Sequence, residues 1–226
     1  MTVIALENYE LNDKTTGSCL KNLNFSLAAG EACSLFADNP NNAHLLTRAL
    51  ATLIRPDSGK YTFMDSTLDF SDYRNLLEYK KQIGYFGPDA ALISNLTLRQ
   101  NLLLSRAYFE NKLEIDLDDP VIALCDEFHL IDKLDLRPTA LSLLDIRAAI
   151  IVREISKSLK LLIMDSPEDL IGHPGFTFLV KKVENMIATG IPLVLLCEDD
   201  KMAARIAPRT FRIPDPPGDF RWETTI

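Results

Sequence analysis

The sequence predicts an α/β fold built on a mainly parallel sheet covered on both faces. Three observations lead there. "EACSLFA", "LKLLIMDSP" and "IPLVLLCEDD" are nearly continuous apolar runs of strand length, as strands buried on both sides require. Segments with helical spacing separate them, which is the alternation of a parallel α/β sheet. Each run ends on polar residues, at Ala37-Asp38, Asp165-Ser166 and Glu198-Asp199, and ligands of such sheets lie at that end.

The elements follow in order. Two opening strands, "VIALENYEL" and "CLKNLNFSL", flank the polar turn "NDKTTG" and are expected to pair antiparallel. "EACSLFA" comes next, and "NAHLLTRALATLI" then sets Leu45, Leu46, Ala49, Leu50 and Leu53 at helical spacing. "RPDSG" is a turn, "KYTFMD" resumes strand, and "KQIGYFG" is a short strand leading into the link "PDAALISNLT". From Leu98 to about Asp135 the pattern is helical around an acidic loop, "EIDLDDP", so a small helical subdomain is expected over about 95–140. "TALSLLDIRAAIIVREISKS" reads as a helix with Thr139 or Ser142 as its N-cap. "FTFLVKKVENMIATG" is an amphipathic helix stopped by glycine, and "PDPPGDFRWETTI" is expected to lie extended over the surface. The organisation is one domain over 1–213 with a proline-rich tail over 214–226, and no internal repeat.

Bulk properties narrow the function. A chain of 226 residues with 47% apolar residues suits one large α/β domain with a sizeable core. A net charge of -8 and a pI near 4.9 argue against a nucleic-acid face or direct contact with an anionic membrane, which both need concentrated Lys and Arg. Cys19, Cys33, Cys125 and Cys197 show no C-x-x-C spacing and read as reduced core residues, so no metal site is expected. The first residues lack a signal peptide's basic flank, and no apolar run approaches the roughly 18 residues of a membrane span. A soluble, cytoplasmic protein is expected.

The stretch from Gly30 to Gly59, "GEACSLFADNPNNAHLLTRALATLIRPDSG", has the strand–loop–helix layout of a phosphate-binding unit. Between those two glycines there is no other glycine, and the loop has no lysine. A helix start offers an anion only about 0.5–1 kcal/mol through its dipole.

Five blocks in order resemble the nucleotide-binding subunit of ABC (ATP-binding cassette) transporters, from about Val3 to Arg212. "LKNLNFSLAAGE" looks like the strand pair before the family's phosphate loop, and "LLTRALATLIRPDSGKYTF" like the helix and turn after it. "IGYFGPDAALISNLTLRQNLLL" is similar to the Q-loop region entering the helical subdomain. "LSLLDIRAAIIVREISKSLKLLIMDSP" has the spacing of the signature helix and second nucleotide motif, and "GIPLVLLCEDDKMAARIAPRTFRI" resembles the closing strand and switch. The resemblance implies a P-loop NTPase-like core with antiparallel N-terminal strands and a helical subdomain.

The functional positions depart from the family. Its phosphate loop, G-x-x-x-x-G-K-S/T, uses glycines to converge backbone N–H groups, a lysine for the β/γ-phosphates and a hydroxyl for magnesium. Those positions fall on Ala37, Asn42, Ala43 and His44, with Asp38 adding negative charge and Pro40 removing a donor. Asn42 tolerates a left-handed backbone, and His44 is expected to be a cap or first-turn residue rather than a phosphate donor. The Q-loop glutamine falls on Pro88. The signature Leu-Ser-Gly-Gly-Gln becomes Leu141, Ser142, Leu143, Leu144 and Asp145. The strand-end aspartate is kept as Asp165, but the catalytic glutamate becomes Ser166 and the switch histidine Glu198. The adenine-stacking aromatic falls near Asp13, with Tyr9 too early to serve.

Phosphoryl transfer rests on positioning and charge stabilisation, so these changes together imply a pseudo-ATPase. No cofactor is expected, with ATP and magnesium binding weak or absent. The implied partners are an ABC permease, whose coupling helix meets the region from about Gly87 to Arg106, and an active ABC ATPase subunit or a second copy of this chain. Nucleic acid is not expected, and the membrane is met only through a partner, at the inner face. Two other functions fit the same sequence: an ATP-binding subunit completed by a catalytic partner, or a soluble regulatory or scaffold protein outside transport. Tight Mg-ATP binding that depends on Asp165 would mark the first, and the absence of a permease partner the second.

Overall fold

The computed structural model describes residues 1–109, 116–216, 218 and 220–224. Residues 114 and 115 of the expected acidic loop, and residues 217, 219, 225 and 226 of the expected tail, lie outside the described residues. The strands and helices run β1 (Thr2–Asp13), β2 (Ser18–Ala28), β3 (Ala32–Ala37), α1 (Pro40–Leu50), β4 (Ser58–Phe63), β5 (Ser66–Thr67), α2 (Leu77–Lys80) and β6 (Ile83–Phe86). They continue with α3 (Leu98–Phe109), α4 (Asp119–Glu127), α5 (Leu143–Ile155), β7 (Leu161–Asp165), α6 (Phe176–Ala188), β8 (Leu193–Leu196), α7 (Asp200–Ile206), β9 (Arg209–Ile213) and β10 (Arg221–Thr224).

These strands form two sheets. An antiparallel sheet has the order β2-β1-β4-β5, and a second sheet the order β10-β9-β3-β8-β7-β6. In the second sheet every pair is parallel except β10 with β9. All residues of β7 are buried, and they divide by the two-residue strand period. Leu161 and Ile163 pack with α1 and the antiparallel sheet, while Leu162 and Met164 pack with α3, α4, α5 and α6. Strand β8 divides likewise, Val194 to one core and Leu193 and Leu195 to the other. The near-continuous apolar runs are therefore what a sheet between two cores demands. The mainly parallel α/β architecture with antiparallel opening strands is the one the sequence predicts.

Three boundaries differ from the expectation. Helix α1 begins at Pro40, two residues before the expected Asn42. Asn39 is its N-cap and Pro40 its first residue, where a missing N–H costs nothing. Helix α5 starts at Leu143 after a short 3-10 turn over Pro138–Ala140, and Ser142, not Thr139, caps it. The tail does not merely lie over the surface. Strand β10 pairs with β9, and Trp222 stacks 5.4 Å from Phe25 and meets Phe211 at 4.9 Å.

The helical region is tied to the core through the Pro88–Thr97 link. Asn101 of α3, fully buried, accepts from the Ile93 N–H at 2.7 Å and donates to the Ile93 and Thr97 carbonyls at 3.1 and 3.0 Å. From α5, Arg147 donates to the Gly87 carbonyl at 3.3 Å and Arg153 to the Ala91 carbonyl at 3.0 Å. Both ends of the link are thus held by side chains.

Gly59 joins the antiparallel sheet at its tightest point. Its φ is +91°, and a Cβ there would lie 2.4 Å from the Asn8 carbonyl oxygen and 2.5 Å from the Tyr9 Cα. Both the conformation and the space require glycine. Gly59→Ala is expected to destabilise the fold by about 1–3 kcal/mol, read as a shift in denaturant midpoint. Gly17→Ala, also at positive φ but with open space around it, should cost less.

Candidate functional site

The site forms where α1 leaves β3 and passes the end of β7. Asn39 turns the chain: its side chain accepts from the Asn41 N–H at 3.1 Å and its carbonyl from the Asn42 N–H at 2.9 Å. The Asp38 N–H donates to the Ile213 carbonyl at 3.0 Å. The Asp38 carboxylate accepts from Arg212 at 3.3 Å and from the Asp215 N–H at 3.3 Å. Donors that a phosphate cradle would aim at its ligand are spent inside this loop, and Pro40 has none to offer.

Helix α1 then carries the predicted residues past the strand ends. Asn42 is helical rather than left-handed, and its buried side chain accepts from the Cys19 N–H at 3.2 Å, tying α1 to β2. Ala43 is fully buried. His44 is neither a cap nor a first-turn residue as expected. Its Nδ1 lies 2.9 Å from Oδ2 of Asp165, which is only 2% exposed at the end of β7. Thr47, one turn further, donates to the same oxygen at 3.0 Å or to the His44 carbonyl at 2.8 Å. Ser166 completes the cluster, its Oγ donating to Oδ1 of Asp165 at 3.2 Å from a left-handed backbone with φ 57°.

The structure thus brings His44, Asp165 and Ser166 together and adds Thr47, which the sequence reading missed. Thr47 carried a signal, being a hydroxyl on the buried face of an otherwise apolar helix stripe. Ala37 ends β3 half-buried, while Pro88 and Glu198 are exposed. Tyr85, on the strand before Pro88, is pushed up to about 12 by burial, with the Asp165 and Asp89 charges adding. Gly87 gives it room, since a Cβ there would stand 2.5 Å from Oη. The Glu198 N–H donates to Glu168 Oε1 at 3.0 Å.

The residues in place do not suit a magnesium–nucleotide. Asp165 already receives an imidazole and a hydroxyl, no lysine stands at position 43, and the Asp38, Asn41 and Asn42 N–H groups are engaged. The signature segment has also been put to local use. Ser142 and Asp145 form a capping box, with Asp145 N–H donating to Ser142 Oγ at 3.1 Å, and Lys133 donates to Asp145 at 2.7 Å. Leu141 is partly covered, whereas Leu143 and Leu144 project outward, 71% and 37% exposed.

The hydrogen bond to Asp165 raises the His44 pKa above the ordinary histidine value, the charges of Asp165, Asp89 and Glu198 assisting and burial opposing. A folded-state pKa above the unfolded one means that the stabilisation is fully present below the unfolded value of about 6.5 and is lost as pH rises through the folded value. Melting temperature is therefore expected to fall as pH rises above about 6.5. His44→Asn should flatten that slope, and an unchanged pH profile in the variant would refute the assignment.

Comparison with known proteins agrees with this fold. An ABC transporter family model matches residues 20–169, more than half of the chain. The macrolide export ATP-binding/permease protein MacB of Campylobacter jejuni is 27% identical over 198 residues, covering 87% of this chain and 30% of its own length. The molybdenum import ATP-binding protein ModC of Brucella melitensis is 27% identical over 182 residues, 80% of this chain and 50% of its own. The chain spans half or less of these relatives. Among solved structures, an ATP-binding cassette in a post-hydrolysis state bound to ADP and Pi superposes with a TM-score of 0.82 at 17% identity, covering 99% of each chain. An ATP binding subunit of an ABC transporter gives 0.81 at 18% identity, covering 98% of this chain and 90% of that one. The family match, on a fold shared with these cassettes, places the chain in the ABC transporter family.

Proposed function

We propose that this chain is a non-catalytic member of its family, a pseudo-ATPase that serves an ABC transport complex as a structural or regulatory subunit docked on a permease. The observation that carries the reading is the closed His44–Asp165–Thr47 cluster at the carboxyl end of the sheet. An imidazole and a hydroxyl stand where a metal-bound phosphate would need an open carboxylate. Ala43 and Ser166 supply neither the cation nor the base that phosphoryl transfer uses. The chain's own site then has no route to hydrolysis, and the degenerate phosphate loop persists as the joint between β3 and α1.

Docking is supported by the link that adjoins this cluster, whose Asp89 raises the His44 pKa by its charge. The Pro88–Thr97 link is pinned by Asn101, Arg147 and Arg153 and borders an open cleft. One relative, MacB, is itself an ATP-binding/permease protein. No helix among the described residues is long and apolar enough to cross a membrane, so membrane association at the inner face would run through the partner. The exposed Leu143 and Leu144 are suited to an apolar contact with an active ATPase subunit or a second copy.

Two measurements test this. Calorimetric titration with Mg-ATP is expected to give no heat at millimolar nucleotide, and micromolar binding abolished by Asp165→Asn would replace the proposal with a nucleotide-binding subunit. Replacing both Leu143 and Leu144 by glycine is expected to weaken association with itself or an ATPase subunit about tenfold or more, the scale of losing two buried leucine contacts. An unchanged sedimentation profile would count against that interface.

A further inference from the structure

The cleft lined by the ends of α2 and α5 and by β6 has about 320 Å³ of open volume. At roughly 30 Å³ for each water-sized group, it has room for about ten non-hydrogen atoms. One wall is apolar, made by Ala51, Leu53, Ile83 and Ala90, with Leu53 half exposed at the rim. The other is cationic: Lys80 at the end of α2, with Arg153 and Lys157 at and just past the end of α5. Two of these cations are already engaged. Buried Glu154 pairs with Arg153 at 3.0 Å and with Lys157, and also accepts from the Tyr85 N–H at 3.3 Å. Arg153 donates further to the Ala91 carbonyl at 3.0 Å, and Lys157 to the Ile83 carbonyl at 3.2 Å. Asp89, the other acid on the lining, is held by Arg48 at 3.5 Å. Lys80 has no carboxylate partner among the described residues. Burial and the neighbouring Lys157 charge lower its pKa.

We propose that this cleft is a small-molecule site for an organic monoanion with an apolar chain, a straight-chain carboxylate of about eight carbons. Its carboxylate sits on the Lys80 ammonium and its chain lies along Ala51, Leu53 and Ile83. The inference rests on the cleft alone and is independent of what docks on the neighbouring link. Charge selects the head group. One unpaired ammonium matches one carboxylate, whereas a phosphate dianion would also meet the carboxylates of Glu154 and Asp89. The apolar wall selects the body. A small hydrated anion would leave the Leu53 rim in water, and a neutral hydrocarbon would leave Lys80 half-buried without a counter-ion. A carboxylate against Lys80 also relieves its repulsion with Lys157. Volume selects the length, since eight carbons and two oxygens fill the space and a longer chain would project into water.

The test is calorimetric titration of the full chain with butyrate, hexanoate, octanoate, decanoate and dodecanoate, with octan-1-ol and octylammonium as neutral and cationic counterparts. Octanoate is expected to bind below about 1 mM. Affinity should rise roughly twofold to fourfold per methylene up to octanoate and level off beyond it. Lys80→Met should lower octanoate affinity about tenfold and leave octan-1-ol unchanged, as loss of a charge-assisted hydrogen bond does. Lys80→Glu should make octylammonium the preferred ligand. Leu53→Ser should flatten the dependence on chain length and keep the order of the head groups. Octanoate affinity unchanged in Lys80→Met, or affinity still climbing through dodecanoate, would overturn the site. So would the absence of both heat and a rise in melting temperature at millimolar octanoate.

Discussion

A carboxylate at the end of a strand buried on both faces imposes a demand that the neighbouring elements must meet. Left unpaired there, it would cost several kcal/mol. Asp165 is that group, and α1 answers it with His44 and Thr47, three positions apart and so on one helix face. Their spacing fixes the rotation of α1 about its own axis, and with it the burial of Leu45, Leu46, Ala49 and Leu50 against β3, β7 and β8. The same pairing closes the end of the sheet where ligands of this architecture otherwise sit. One hydrogen-bonded pair thus both seats a helix and occupies that end of the sheet.

The altered motifs share this local logic. In the loop before α1, Asn39 caps the helix and Pro40 begins it, which converts a ligand cradle into an ordinary helix start. Before α5, Ser142 and Asp145 satisfy each other's backbone donors and Lys133 anchors the cap. Each solution spends inside the chain the groups that nucleotide recognition would use. Other positions of the altered motifs carry other chemistry, apolar at Leu143 and Leu144 and acidic at Glu198.

How much of this was legible follows from what kind of signal each feature leaves. The parallel sheet was readable because a strand between two cores must be apolar at every position, as Leu161, Leu162, Ile163 and Met164 are. The site's departures were readable because glycine and lysine have specific duties in a phosphate loop. The His44–Asp165 pair was not, since the partners lie 121 residues apart and no local pattern links them. Strand β10 was missed because the prolines and glycine before it mask a four-residue strand whose stability comes from Phe25 and Phe211. Glu154 gave a fainter sign, as a charge on the buried phase of "AAIIVREISKS". Its role became clear only once Tyr85, Arg153 and Lys157 were seen around it.

Closure at the Asp165 end bears on what any ligand there would face. A phosphate entering the loop would have to displace the bonds of the Asp38, Asn41 and Asn42 N–H groups, each worth about 1 kcal/mol net. It would also approach the carboxylates of Asp38, Asp165 and Glu198 without a lysine to offset them. A magnesium ion would first have to remove an imidazole that already satisfies Asp165, and the displaced His44 would be left facing acidic neighbours. These costs add because they fall on different groups, and no single reversal, of Ala43 or of His44, relieves more than one of them. A nucleotide at this end of the sheet would therefore compete for groups that the fold already uses.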